Sequence, residues 1–246
     1  QSFAAPVRDE TTVLAVEGEG GGYRIDTNCG SWRSKNVVIA TGYCDVPYVP
    51  DMSGSLSKDI VQLVSTAYRN PGQLPSGGVL VVGASSTGIQ LADEIHNSGR
   101  AVTLAVGRHT RLPRTYRGRD IMWWLDAMGA FDERLDQVFN ADISRRQPSL
   151  QLVGRTDQSS LDLMSLEANG VRLVGRAVGA EGSTLSFADD LIAYTAAADV
   201  KLARLLQRID KFMAESGLAR EVGDAEPFIP FHWPAQAPTS VDLRSA

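Results

Sequence analysis

The sequence has few cysteines and lacks any long apolar run. Its two cysteines, Cys29 and Cys44, form no CxxC pair, which argues against a disulfide framework, a dithiol redox pair and a thiolate metal site. No segment approaches the roughly 18 consecutive apolar residues of a membrane-spanning helix. The first ten residues lack the basic and apolar regions of a secretory signal. The sequence therefore predicts a cytoplasmic protein that holds no metal and binds no membrane.

Excess positive charge is absent as well. The net charge of −5 argues against general affinity for nucleic acid, and the 43% hydrophobic and 22% charged residues are typical of a folded protein. This composition is compatible with a homo-oligomer. Five arginines nevertheless stand close together in one segment: Arg108, Arg111, Arg114, Arg117 and Arg119. Such local positive charge predicts a small anionic ligand, and hence a small-molecule substrate rather than a macromolecule.

Residues 78–108 carry the pattern of a β-α-β unit. An apolar run at Val79–Val82 precedes a glycine-containing turn, and apolar residues then recur at helical spacing from Ile89 to Ile95. A second apolar run, Val102–Val106, follows a polar break. Strand, helix and strand in this order predict an α/β fold with a parallel sheet.

The turn at 83–88 is similar to the GxGxxG turn that binds dinucleotides. Gly83 would permit the sharp turn, Ser85 stands where the backbone approaches a pyrophosphate, and Gly88 would let the helix pack closely on the sheet. The start of the helix would direct free N–H groups at the phosphates. The candidate phosphate-binding residues are Gly83, Ala84, Ser85, Ser86, Thr87 and Gly88. An ordinary tight turn in an α/β domain is the alternative.

The end of the second strand favours NADPH over NADH. A carboxylate there would bind a ribose 2′-hydroxyl, but this chain has Arg108, with His109 and Arg111 able to reinforce it at a 2′-phosphate. The alternative is a basic loop exposed to solvent.

Two other motifs fit the same strand-turn-helix context. A phosphate-binding P-loop requires lysine where Ile89 stands, so that motif fails. A hydrolase nucleophile elbow, GxSxG, would use Ser85 but has Thr87 at its closing glycine. His232 follows in the required order, so a hydrolase stays open as an alternative.

The rest of the chain divides into short strands and a few helices. Within residues 11–42, alternation in the short runs Thr12–Glu17, Tyr23–Thr27 and Ser31–Trp32 predicts a β-meander, and Val37–Ala40 has the composition of a buried parallel strand. Helices are expected at Asp59–Tyr68, Asp120–Met128, Leu161–Ala168 and from Leu191 to near Gly217, with a strand at Val171–Val174 and a hairpin of Ala177–Glu181 with Thr184–Phe187. Trp123 and Trp124 are expected in the core rather than in a site.

Three stretches resemble flavin-containing and Baeyer-Villiger type monooxygenases. VVIATGY at residues 37–43 resembles the strand and turn that close the FAD domain, and residues 68–88 resemble the approach to the NADPH fingerprint. YRGRDIMWWLDAMG resembles a subgroup of flavoproteins associated with potassium transport. Where the family commonly has a histidine, four residues before Tyr68, this chain has Val64.

The resemblance implies a flavoprotein fold with two dinucleotide-binding domains. It adds Thr41 and Gly42 as cofactor-binding residues, and it implies that an FAD-binding GxGxxG precedes Gln1 and a second Ala-Thr-Gly turn follows Ala246. The implied domains are 1–50, part of an FAD domain with the meander; 51–77, a linker; 78–222, a Rossmann-like NADPH domain; and 223–246, a segment returning toward the FAD domain.

The implied function is that of the NADPH-binding portion of a flavin-dependent oxidoreductase or monooxygenase, in which hydride passes from NADPH to FAD. FAD is expected in the full-length protein. A nucleotide-binding remnant without turnover is the alternative, and the residues identify no catalytic side chain.

Overall fold

The computed structural model describes residues 4, 6–42, 46–134, 136–138, 140, 142, 144, 146–155, 157–233 and 236–244. It contains two compact units, Gln1–Val46 and Pro47–Ala246. The smaller unit holds an antiparallel meander and the larger one a parallel sheet with helices. The α/β class predicted from the sequence is therefore confirmed.

The smaller unit is built on three consecutive strands, β1 (Val13–Glu19), β2 (Gly22–Thr27) and β3 (Gly30–Ser34). Each strand pairs antiparallel with the next, in the order β1-β2-β3. Gly20 and Gly21 lie between β1 and β2 with φ angles of +58° and +82°, a conformation that glycine adopts without steric cost. The predicted β-meander is confirmed.

The prediction of a buried strand at Val37–Ala40 is wrong. These residues form no strand, and Val38 and Ile39 are 87% and 80% exposed. A parallel strand makes its backbone hydrogen bonds only to neighbouring strands. Among the described residues no strand pairs with residues 37–40, so the apolar run stays outside any sheet.

The prediction of a helix at Asp59–Tyr68 is also wrong. These residues form turns and extended chain, and short 3-10 helices lie instead at Asp51–Ser55 and Pro71–Gln73. The segment is rich in β-branched residues, which lose side-chain freedom in a helix. Tyr68 at its end, and Leu74 after it, are partly buried against the main core of the larger unit.

The centre of the larger unit is a three-stranded parallel sheet. Its strands are β4 (Val79–Val82), β5 (Val102–Ala105) and β10 (Arg172–Val174), in the order β10-β5-β4. Helix α1 (Ser86–Asn97) connects β4 to β5, as predicted, and α3 (Leu163–Ala168) precedes β10. The side chain of Asp162 caps α3 by accepting a hydrogen bond from the Ser165 amide.

Side chains of this sheet alternate between two cores. Val81 and Leu104 pack on one face with Ile89, Ala92 and other residues of α1 and α3. Leu80 and Ala105 face the other way, toward an antiparallel sheet. That second sheet contains the predicted hairpin, β11 (Ala177–Glu181) and β12 (Thr184–Phe187), joined by β13 (Ser240–Asp242).

Two further helices form a separate core. Helix α2 (Ile121–Ala127) begins after Asp120, whose carboxylate accepts the Met122 amide, and α4 (Leu191–Ser216) ends at Gly217 with φ +74°. Trp124 is completely buried between these helices, and its indole N–H donates to the Tyr116 carbonyl at 2.7 Å. Trp123 is 38% exposed, so only Trp124 lies in the core as predicted.

Among the described residues between β5 and α3 are four two-residue strands. They are β6 (Thr110–Arg111), β7 (Thr115–Tyr116), β8 (Arg119–Asp120) and β9 (Leu150–Gln151). Strands β6 and β9 pair parallel to each other, and β7 pairs with β8. Throughout the described part of the chain, no helix combines the length and apolar character needed to cross a membrane.

Candidate functional site

The candidate site lies where β4 and β5 end side by side. Val82 is the register partner of Ala105, so the residues that follow both strands emerge at one edge of the sheet. The Gly83 amide also donates to the Ala105 carbonyl at 3.0 Å, which holds the start of the turn against the end of β5. Carboxyl ends of parallel strands are where ligands bind in open α/β sheets.

The glycines at 83 and 88 allow the turn to be this tight. Gly83 has φ +106°, and no heavy atom lies within 4 Å of the position that a Cβ would take there. A Cβ on Gly88, by contrast, would lie only 1.8 Å from the Gly83 carbonyl oxygen. The first turn of α1 can therefore approach the end of β4 only because residue 88 has no side chain.

The start of α1 leaves backbone donors available. Ser85 occupies the N-cap in an extended conformation, and its side chain makes no capping hydrogen bond. Thr87 is exposed, and the open space beside Gly83 adjoins this helix end. Free N–H groups and the positive end of the helix dipole favour an anion here. These residues fit the pyrophosphate of a dinucleotide.

Two members of the predicted motif face the protein interior. Ala84 is 4% exposed, and the Ser86 hydroxyl lies 2.9 Å from the carbonyl oxygens of both Leu150 and Leu152. It also accepts the Leu152 amide at 3.2 Å. The Ser86 side chain is thus bound to the backbone of Leu150 and Leu152. Only the backbone amide of Ser86 is left to bind a phosphate.

Arg108 is the exposed cation at this edge of the sheet. It follows β5 by three residues, its side chain is exposed, and within the described residues it forms no ion pair. A guanidinium without a carboxylate partner is free to bind a phosphate in a bidentate manner. This placement fits the predicted contact with a 2′-phosphate.

Arg111 is mostly shielded from solvent, with its side chain 11% exposed, and has partners of its own. Its guanidinium is 2.8 Å from Asp199 and 3.2 Å from Asp162, and it donates to the Ile229 carbonyl at 3.0 Å. The ring of Phe231 packs over it at 4.3 Å. Arg111 therefore joins β6 to α3, α4 and the chain near residue 230, and its charge is already neutralised.

His109 is buried as well, being 4% exposed. Its Nδ1 lies 3.0 Å from the Gly107 carbonyl, which can only accept, so Nδ1 carries the proton of the neutral ring. Burial lowers the pKa of His109, because the charged imidazolium would lose its hydration. The structure thus gives neither His109 nor Arg111 as a free surface cation beside Arg108.

The lowered pKa of His109 predicts a pH-dependent stability. Because the pKa of His109 is lower in the folded state than its unfolded value of about 6.5, the neutral ring stabilises the fold above that pH. This contribution is lost as the pH falls from about 6.5 through the folded-state pKa. His109→Gln keeps an N–H donor without the titration. When the pH is lowered from 7 to 5, the wild type should therefore lose more unfolding free energy than the variant, as measured by urea denaturation. Parallel pH profiles for the two proteins would contradict this.

The other arginines of the cluster are also engaged. Arg114 pairs with Asp120, and Arg117 pairs with Asp210 at 2.8 Å. Arg119 lies over the ring of Trp123. Arg114 and Arg117 are therefore paired with carboxylates, and the prediction of a small anionic ligand at this segment rests on Arg108, which is exposed.

The geometry does not favour a hydrolase. A nucleophile elbow holds its serine on a strained turn, whereas Ser85 has φ −79° and ψ −176°, which is ordinary extended backbone. His232 is exposed, and its Nδ1 lies 3.1 Å from the Pro230 carbonyl. Among the described residues no hydrogen bond joins Ser85 to His232.

The candidate FAD residues belong to the smaller unit. Thr41 and Gly42 are exposed, and Gly42 has φ +74°. Tyr43, the last residue of the same motif, lies outside the described residues.

Two features of the larger unit were not predicted from the sequence. One is a groove of about 390 Å³ along α4, lined by apolar residues that include Val200, Phe231 and Trp233. The other is Gln151, which is 1% exposed and donates from its amide nitrogen to the Ala84 carbonyl. A single glutamine in a two-residue strand gives no periodic signal, so sequence patterns could not have identified it.

The chain is similar in sequence to known oxidoreductases. Residues 1–145 match the family model described as pyridine nucleotide-disulphide oxidoreductase. The chain is 32% identical over 192 residues to an uncharacterized oxidoreductase CzcO-like of Geobacillus kaustophilus (strain HTA426), a match that covers 77% of this chain and 53% of the relative. It therefore spans about half the length of that relative.

A fungal protein and a solved structure are similar over smaller shares of their lengths. The flavin-containing monooxygenase iboF of Amanita muscaria (strain Koide BX008) is 33% identical over 90 residues, covering 33% of this chain and 16% of that protein. The structure of a flavin-containing monooxygenase from Stenotrophomonas maltophilia superposes with a TM-score of 0.46 at 19% identity, covering 75% of this chain and 47% of that one.

Proposed function

Because the chain belongs to the pyridine nucleotide-disulphide oxidoreductase family, we propose that it is the NADPH-binding portion of a flavin-dependent, monooxygenase-like oxidoreductase. In this proposal NADPH binds at the turn between β4 and α1, and hydride passes from NADPH to FAD. The name of the Amanita relative, a flavin-containing monooxygenase, supports the flavin part of the proposal.

The proposal of NADPH, as opposed to NADH, rests on the exposure of the Arg108 side chain and on its lack of an ion pair among the described residues. Arg108 is the arginine at the end of β5 that is exposed and has no ion pair among the described residues, while Arg111, Arg114 and Arg117 are paired with carboxylates. A 2′-phosphate distinguishes NADPH from NADH, and an arginine at the end of the second strand is the group that accommodates it.

The residues of the turn have separate tasks in this proposal. The backbone amides of Ser86 and Thr87 bind the pyrophosphate, and Gly88 allows the helix end to reach it. Arg108 neutralises the 2′-phosphate. When bound, the cofactors supply the redox chemistry, and the protein supplies position and charge.

The flavin part of the proposal depends on the other unit. Thr41 and Gly42 would contact FAD there. Since the chain spans about half of its Geobacillus relative, the complete activity, with a small molecule as substrate, is proposed for the full-length protein.

Arg108→Ala tests the proposed function. It should raise the Kd for NADPH about 10- to 100-fold, because one charge-assisted contact is lost, and leave the Kd for NADH within about twofold. Nicotinamide fluorescence during titration measures both constants.

Arg204→Ala is the matched control, since Arg204 is an exposed arginine of α4 away from the turn. It should change neither constant. If Arg108→Ala weakened NADPH and NADH equally, the role of Arg108 at a 2′-phosphate would be refuted.

A further inference from the structure

Strand β9 and its neighbours, residues 149–152, hold the candidate nucleotide turn from one side. The Ser86 hydroxyl bonds to the backbone of Leu150 and Leu152, and the Gln151 side chain donates to the Ala84 carbonyl. These contacts fix residues 84 and 86, which flank the N-cap of α1. The position of the turn therefore depends on a segment more than 60 residues further along the chain.

The same segment also fixes the chain that follows Arg108. Thr110 and Arg111 of β6 are the register partners of Leu150 and Gln151, and the Thr110 amide donates to the Ser149 carbonyl at 3.0 Å. Strand β6 begins two residues after Arg108. Residues 149–152 thus contact both the turn that would bind the pyrophosphate and the strand that begins two residues after Arg108.

Gln151 is only half satisfied in this position. It is 1% exposed, and the Ala84 carbonyl fixes the orientation of its amide, because only the Nε2 end can donate. The Oε1 atom is buried and has no hydrogen-bond partner among the described residues. An unpaired buried acceptor destabilises a fold, and an apolar side chain of the same length would remove Oε1 but leave the buried Ala84 carbonyl without this donor. The glutamine thus exchanges one unpaired acceptor for another, so its net contribution to stability is small.

We propose that Gln151 is a positioning residue for NADPH: by holding the Ala84 carbonyl while its own strand pairs with β6, it sets the spacing between the turn at 83–88 and Arg108. This inference rests on the proposed function. NADPH must contact both places at once, whereas NADH, which has no 2′-phosphate, depends only on the turn. Gln151 therefore contributes to the preference between the two nucleotides without touching either.

The test is Gln151→Met in the full chain, since methionine has a similar length but no amide. The Kd for NADPH should rise about tenfold, and the Kd for NADH should change less than about twofold. The melting temperature should stay within about 3 °C of the wild type, because the variant loses the Oε1 acceptor while the Ala84 carbonyl loses its donor, so only the small net free energy of one hydrogen bond is lost. Gln207→Met, at an exposed position of α4, is the control and should change none of these values.

A double-mutant cycle separates this inference from the proposed function. In an Arg108→Ala background, Gln151→Met should change the Kd for NADPH less than about twofold, because the spacing no longer matters. The positioning role would be overturned if the two substitutions had additive effects on the Kd for NADPH. It would also be overturned if Gln151→Met weakened NADPH and NADH equally or left the Kd for NADPH unchanged. None of these results would contradict the role of Arg108. If Arg108→Ala itself left the ratio of NADPH to NADH affinity unchanged, the proposed 2′-phosphate contact and the inference would both fail.

Discussion

Arg111→Met should lower the free energy of unfolding by about 3–5 kcal/mol, because it leaves buried carboxylates without their counter-ion. The side chains of Arg111 and Asp199 are 11% and 10% exposed, and that of Asp162 is 18% exposed. Their attraction is therefore weakly screened by solvent, and a carboxylate that loses its partner cannot recover full hydration. Urea denaturation followed by circular dichroism measures the change.

The control is Lys211→Met, which removes an exposed ion pair with Glu215 on α4. The change there should be less than about 1 kcal/mol, since exposed pairs contribute little. A double variant, Arg111→Met with Asp199→Asn, should be more stable than Arg111→Met alone, because the amide is neutral and its oxygen can still accept the Phe231 amide. A similar small loss in Arg111→Met and Lys211→Met would show that the buried network does not stabilise the fold.

The contrast between Arg108 and Arg111 shows how far sequence patterns reach. Strand β4, helix α1 and the hairpin β11–β12 were predicted because their signals are local: apolar periodicity, a glycine turn and a polar break. The partners of Arg111 lie 51 and 88 residues away, at the N-cap of α3 and in α4. No periodicity reports such contacts, so an exposed and a buried arginine look alike in sequence.

The same limit explains the wrong prediction at Val37–Ala40. An apolar run of four residues indicates a strand only if another strand lies beside it, and that condition is non-local. In the described chain Val38 and Ile39 are left exposed instead. The turn at 83–88 differs because its geometry depends on glycines within six residues of each other, so the candidate site could be predicted where its surroundings could not.

Gly88→Ala should destabilise the larger unit by about 3 kcal/mol or more and abolish binding of NADPH and NADH alike. The added Cβ would lie 1.8 Å from the Gly83 carbonyl oxygen and 2.8 Å from its carbon, and both are backbone atoms that cannot rotate away. Helix α1 must then move off β4, which displaces its first amides from the turn and opens the core around Ile89 and Ala92. Urea denaturation and nucleotide fluorescence measure the two effects.

Gly54→Ala provides the matched control. No heavy atom lies within 4 Å of the Cβ position at Gly54, and its φ is not in the left-handed region, so the change should stay within about 0.5 kcal/mol and leave binding intact. Binding to Gly88→Ala is measured at a temperature where circular dichroism shows the native helix content, which separates loss of the site from loss of the fold. If Gly88→Ala bound NADPH with wild-type affinity under those conditions, close approach of α1 to β4 would not be required for binding. That result would contradict the assignment of the turn at 83–88 as the nucleotide site.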